Sequence, residues 1–141
     1  MKGYRDALRD AGLPVEKRFI GYSDMKYNYS SSLSAAKKLL TGDELPDALF
    51  CISDSIALGA VVVAMELGIS VPGDISVIGF DDIMYTTMIH PYLTTIVQPC
   101  ASLGRMAMDM LHKEITEGNL KNRSVVLPHG FVARESTKIP G

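Results

Sequence analysis

Apolar positions along this chain fall into two alternating patterns, one repeating at helical spacing and one made of short unbroken runs, and each pattern predicts a different element. Tyr4, Ala7, Leu8 and Ala11 recur at helical spacing, after which Gly12 can cap the helix and Pro14 blocks its continuation. Residues 18–22 read as a short strand. Three serines, Ser30 to Ser32, offer caps for a helix carrying Leu33, Ala36, Leu39 and Leu40, which Gly42 and Pro46 end. Residues 48–52 are a continuous apolar run, the pattern of a strand buried on both faces. The polar corner Ser53-Asp54-Ser55 then opens a helix over 55–67 that is apolar almost all round, so it must be covered on two sides.

Residues 75–80 form a second buried strand, closed by Asp81 and Asp82, and 93–97 a third with no helix before it. The clearest amphipathic helix covers 102–117, with Leu103, Met106, Ala107, Met110, Leu111 and Ile115 on one face and Gly118 at its end. Short strands at 125–127 and 131–133 flank Pro128-His129-Gly130, a break suited to a chain changing sheets. Helices alternating with strands predict an α/β fold on a mostly parallel sheet.

Composition narrows the function classes. A chain of 141 residues suits one domain or parts of two small lobes. The longest apolar stretch, 57–65, stops at Glu66, far short of the roughly 20 residues a membrane span needs. The first residues are charged and contain no secretory h-region. A formal net charge of −2 without a basic stripe argues that these residues do not grip DNA themselves. Cys51 lies in an apolar run and reads as a small core residue, and two cysteines without metal-site spacing fit a reducing cytoplasm. Phosphate loops, the nucleophile elbow, the dinucleotide fingerprint and the H-E-x-x-H motif are all missing, and His90, His112 and His129 are scattered. The expectation is therefore a protein without catalytic residues, metal ligands or cofactor.

In open α/β sheets ligands bind beyond the carboxyl ends of the strands. That rule selects the 23–29 segment with Tyr27 and Tyr29, then Ser53 and Asp54, then Asp81 and Asp82, then Gln98. An aromatic, a hydroxyl, carboxylates and a carboxamide make up the set of groups that binds sugars: the polar groups pair with hydroxyls and the ring stacks on the apolar sugar face. Each residue also has a plainer use. Asp54 or Ser53 can cap the following helix. Asp82 and Asp81 can start a turn. Tyr27 can cover a loop, and Tyr29 can staple a helix. Phe50 can be core, and Gln98 can satisfy backbone groups at a crossing.

The same residues carry a family resemblance. Residues 46–99 resemble the core of lac/gal repressors, through D-x-x-A-x-G (Asp54, Ala57, Gly59), V-P-x-D-I-S-V-I-G-F-D-D and P-x-L-T-T-I-x-Q-P. So do SLGRMAMDMLHKEI and LPHGFVARES. The resemblance implies a periplasmic-binding-protein-like, three-layer α/β/α fold, with the ligand held between two lobes joined by three crossing strands. It assigns residues 1–96 to the C-terminal lobe without its first strand, 97–127 to a remnant of the N-terminal lobe, and 128–141 to a return to the C-terminal lobe.

It also implies that Asp81 grips ligand hydroxyls or a base edge, that Ser53 stands where many relatives have Asn, and that Gln98 is a ligand contact. Tyr27 matches the loop aromatic, and Phe50 lies nearest a pocket position of purine-sensing members. A ligand-binding Arg and the DNA-reading headpiece would precede Met1. The implied function is sugar or nucleoside sensing in a cytoplasmic homodimeric transcription regulator that touches operator DNA only through that headpiece. The alternative is a periplasmic sugar-binding protein of a transporter. Helix 55–67 and the 84–88 segment would form the two-fold dimer face. The apolar face of helix 102–117, short of most of its lobe, should drive the isolated chain to self-associate.

Overall fold

The computed structural model describes residues 1–22, 29–118 and 124–138 of the chain. Helix α1 (Lys2–Asp10) precedes α2 (Tyr29–Leu40), β1 (Ala48–Phe50), α3 (Asp54–Glu66), β2 (Ser76–Asp81), β3 (Thr94–Val97), α4 (Cys100–Glu117) and β4 (Gly130–Val132). The strands form one sheet in the order β1-β2-β3-β4, with β1, β2 and β3 parallel and β4 antiparallel to β3. The α/β class with a mostly parallel sheet is thus the one the periodicity predicts.

Side chains alternate across a strand, so the register decides which residues meet α3. Leu49 pairs with Val77, and Gly79 with Thr95. Leu49, Cys51, Val77 and Leu93 join Ala57, Ala60, Val61 and Ala64 of α3 and Ala36 and Leu40 of α2 in the core. Helix α3 lies against β2, and α2 packs along α3, which explains why α3 is apolar nearly all round. Burial pushes the Cys51 thiol up to about 12, and the charge of Asp54 adds to the effect, so Cys51 stays protonated as a core residue. Gly79 is required by the approach of the α3 start: a Cβ there would overlap the Asp54 carboxylate and lie 2.9 Å from Leu93 Cδ2.

Two expected strands are absent. Residues 17–19 form a 3-10 turn instead, closed by the Phe19 and Ile20 amides donating to Glu16 and Lys17 carbonyls. A strand is held by its neighbour's ladder, and no described strand runs beside 18–22. Residues 125–127 likewise pair with no described strand, and Val126 is 92% exposed. Helix α4 forms as its pattern predicts, ending at Gly118 in the left-handed region (φ 67°), yet none of its residues is buried. Leu111 and Ile115 stand open on its surface.

Candidate functional site

The site is built at the carboxyl end of β2. Asp81 and Asp82 both have positive φ, 117° and 58°. Non-glycine residues held this way cost about 1–3 kcal/mol each and persist only where the surroundings fix them. Both are fixed here. Asp81 pairs with Val97 in the ladder, and its Oδ1 accepts from Gln98 Nε2 at 2.5 Å. Asp82 Oδ1 accepts from Arg134 Nη2 at 2.7 Å, and the Thr86 hydroxyl, which donates to the Ile83 carbonyl at 2.8 Å, lies 3.4 Å from it. The Ile83 amide that follows donates to Asp54 Oδ2 at 2.9 Å.

Beside this turn opens a cleft of about 550 Å³, walled by Phe50, Phe80, Ile96, Leu103 and Leu127, with Gln98 and His129 among its polar edges. Its sheet wall follows from register. Phe80 pairs with Ile96, and Ile96 with Phe131, all on the face opposite Gly79 and Thr95, which face α3. Gln98 therefore belongs both to the cleft and to the Asp81 carboxylate. A carboxylate and a carboxamide beside an aromatic wall can hold hydroxyls edge-on while an apolar ring face lies against Phe50 or Phe80.

The other sequence-selected residues separate. Phe50 is 56% exposed on the cleft wall, so it is not a core residue. Ser53 is the N-cap of α3, its hydroxyl accepting from the Ile56 amide at 3.4 Å. Asp54 is fully buried, and its Oδ1 accepts from the Thr95 hydroxyl at 2.5 Å, so both oxygens are engaged internally. Tyr27 and the side chain of Tyr29 lie outside the described residues. Sequence reasoning passed over Arg134, 52 positions from Asp82, because no local pattern signals a contact of that span. Among the described residues no group of three or more His, Cys, Asp or Glu could hold a metal ion.

A mostly parallel sheet with polar groups at its strand tips and an aromatic-walled cleft alongside is the arrangement of α/β domains that take ligands beyond the strand ends. Comparison with known proteins narrows that class. Residues 1–137 match the periplasmic binding protein-like domain. Catabolite control protein A of Priestia megaterium is 41% identical over 138 residues, 98% of this chain and 41% of that protein. The HTH-type transcriptional repressor CytR of Escherichia coli (strain K12) is 36% identical, over 98% of this chain and 40% of its own. Among solved structures, a transcriptional regulator CelR–cellobiose complex superposes with a TM-score of 0.88 at 32% identity, over 96% of this chain and 41% of that one. The chain belongs to the periplasmic binding protein-like domain family, within the lac/gal repressor group of effector-binding domains. It spans about two fifths of the curated relatives it matches.

Proposed function

We propose that the chain is the effector-sensing and dimerisation region of a DNA-binding transcription regulator, and that its effector is a sugar or nucleoside. The observation that carries this reading is the Asp81 carboxylate, held at a strand tip by Gln98 beside an aromatic-walled cleft. Asp81 accepts ligand hydroxyls or a base edge, Gln98 orients it and adds a second contact, and Phe50 supplies apolar wall. Ser53 serves chiefly to start α3, and Asp54 to fasten it. Residues 1–96 and 128–141 form one lobe, and 97–127 belong to the other. The unburied surface of α4 supports that division.

Pairing of two copies runs through the exposed side of α3 and the segment after β2, where Met65, Met84, Tyr85 and Met88 are open. Operator DNA is reached through a headpiece outside these residues, in the cytoplasm. No described helix is long and apolar enough to cross a membrane. The named relatives are transcription regulators, which favours this reading over a transporter's periplasmic binding protein.

The test is calorimetric titration of the full-length protein with D-ribose, cellobiose and adenosine. A probe that binds wild type should bind Asp81→Ala about tenfold or more weaker, the loss expected for a charged hydrogen-bond acceptor. Unchanged affinity in that variant refutes the placement of the site.

A further inference from the structure

We infer that Arg134 is a positioning residue for the ligand carboxylate of Asp81, a role that rests on the effector reading above. Two consecutive non-glycine residues in the left-handed region do not hold themselves. Asp81 is tied to β3 by its ladder pairing and by Gln98. Asp82 has no ladder partner, and its carboxylate is held by Arg134, with Thr86 at longer range.

The guanidinium is well placed to serve as a fixed brace. Its side chain is 16% exposed, and that of Asp82 is 25% exposed, so solvent competes weakly. Nη1 donates to the Leu93 carbonyl at 2.8 Å while Nη2 donates to Asp82 at 2.7 Å. The Arg134 amide donates to the Thr94 hydroxyl at 2.9 Å, which anchors its backbone to β3. One planar group therefore joins the turn after β2, the start of β3 and the segment after β4. A planar fork satisfies two acceptors in fixed directions, which an ammonium cannot do. Removing it frees the Asp82 carboxylate, and the turn relaxes toward ordinary φ, swinging Asp81 off the line that Gln98 and the cleft share.

The experiment uses the full-length protein with Arg134→Met, Arg134→Lys, Asp82→Asn and the Arg134→Met/Asp82→Asn double variant. Amide hydrogen exchange over residues 81–86 should quicken about tenfold in Arg134→Met while peptides of α3 and β1 keep wild-type rates. Arg134→Lys should fall between. A probe bound by wild type, from D-ribose, cellobiose and adenosine, should bind Arg134→Met about tenfold weaker, and the double variant should lose no more than the worse single one. Exchange unchanged in 81–86, or raised equally everywhere, overturns the positioning role. So does wild-type affinity in Arg134→Met. A wild-type protein that binds none of the probes overturns the effector reading instead, and the exchange measurement still decides whether Arg134 fixes the turn.

Discussion

Asp54 offers a sharp separation between a structural and a ligand-binding carboxylate. Replacing it by alanine removes two acceptors at once. The Ile83 amide, 2.9 Å from Oδ2, loses its partner, and the Thr95 hydroxyl, 2.5 Å from Oδ1, keeps only the Ile96 carbonyl at 3.4 Å. Asp54 and Thr95 are fully buried, so water cannot readily substitute. Each stranded polar group costs about 1–3 kcal/mol, so Asp54→Ala should lose about 2–6 kcal/mol, a large share of a domain stability of about 5–15 kcal/mol. Asp54→Asn should cost far less, on the order of 1 kcal/mol, because its oxygen can accept from Ile83 while its amide donates to a rotated Thr95 hydroxyl. The assay is urea unfolding of the full-length protein with midpoints compared at constant m. A stable Asp54→Ala protein that has lost effector binding would place Asp54 in the ligand site and refute the reasoning.

Two further outcomes follow from the same geometry. The Glu135 carboxyl lies below its ordinary value, first because the Tyr92 amide donates to it and second because His90 is bonded to it. A depressed carboxyl contributes stability above its unfolded value of about 4.3 and loses it as pH falls through the lower folded value, so Glu135→Gln should flatten the acid limb of a stability–pH profile, and an identical limb would count against it. The 141-residue chain by itself leaves Met108, Leu111, Ile115, Phe50 and Phe131 largely in water. Full burial of one such side chain is worth roughly 1.5–3 kcal/mol, so sizing should show species above 15.3 kDa, and a clean monomer with a cooperative melt would contradict this.

The elements legible in the sequence were those whose stabilising partners are local. The apolar periodicity of α4, the helical spacing of Leu33, Ala36, Leu39 and Leu40 in α2 and the polar corner at Ser53 each signal an element without reference to distant residues, although α2 starts at Tyr29 and so takes in the serines expected to cap it. Residues 18–22 and 125–127 carry strand-like side chains, but a strand exists only where another backbone lies beside it, and hydropathy does not encode that. The candidate site divides the same way. The rule that ligands sit past strand ends brought Asp81 and Gln98 forward, whereas their direct bond depends on the register of β2 against β3. Left-handed backbone at Asp81 and Asp82 was illegible, since neither is glycine and the brace that holds them comes from Arg134, far along the chain.

The two faces of the sheet differ in how their side chains are engaged. On the α3 side the polar groups are consumed internally: Asp54 takes Thr95 and the Ile83 amide, and no space remains at Gly79 even for a methyl group. On the opposite side Phe80 and Ile96 look into open space, where a ligand or a second lobe can be met without disturbing that network. The two systems meet at the tip of β2, where Asp81 is last in the strand and is bonded to Gln98 of the cleft wall. A turn held in the left-handed region lets the strand end abruptly, and Ile83, two residues on from Asp81, is already bonded back to α3. Substitutions at α3-facing positions should therefore move stability first, and those at Phe50, Phe80 and Gln98 should move binding first. Asp82 and Arg134 sit on the boundary, so on the proposed reading their substitution should loosen the turn and weaken effector binding together.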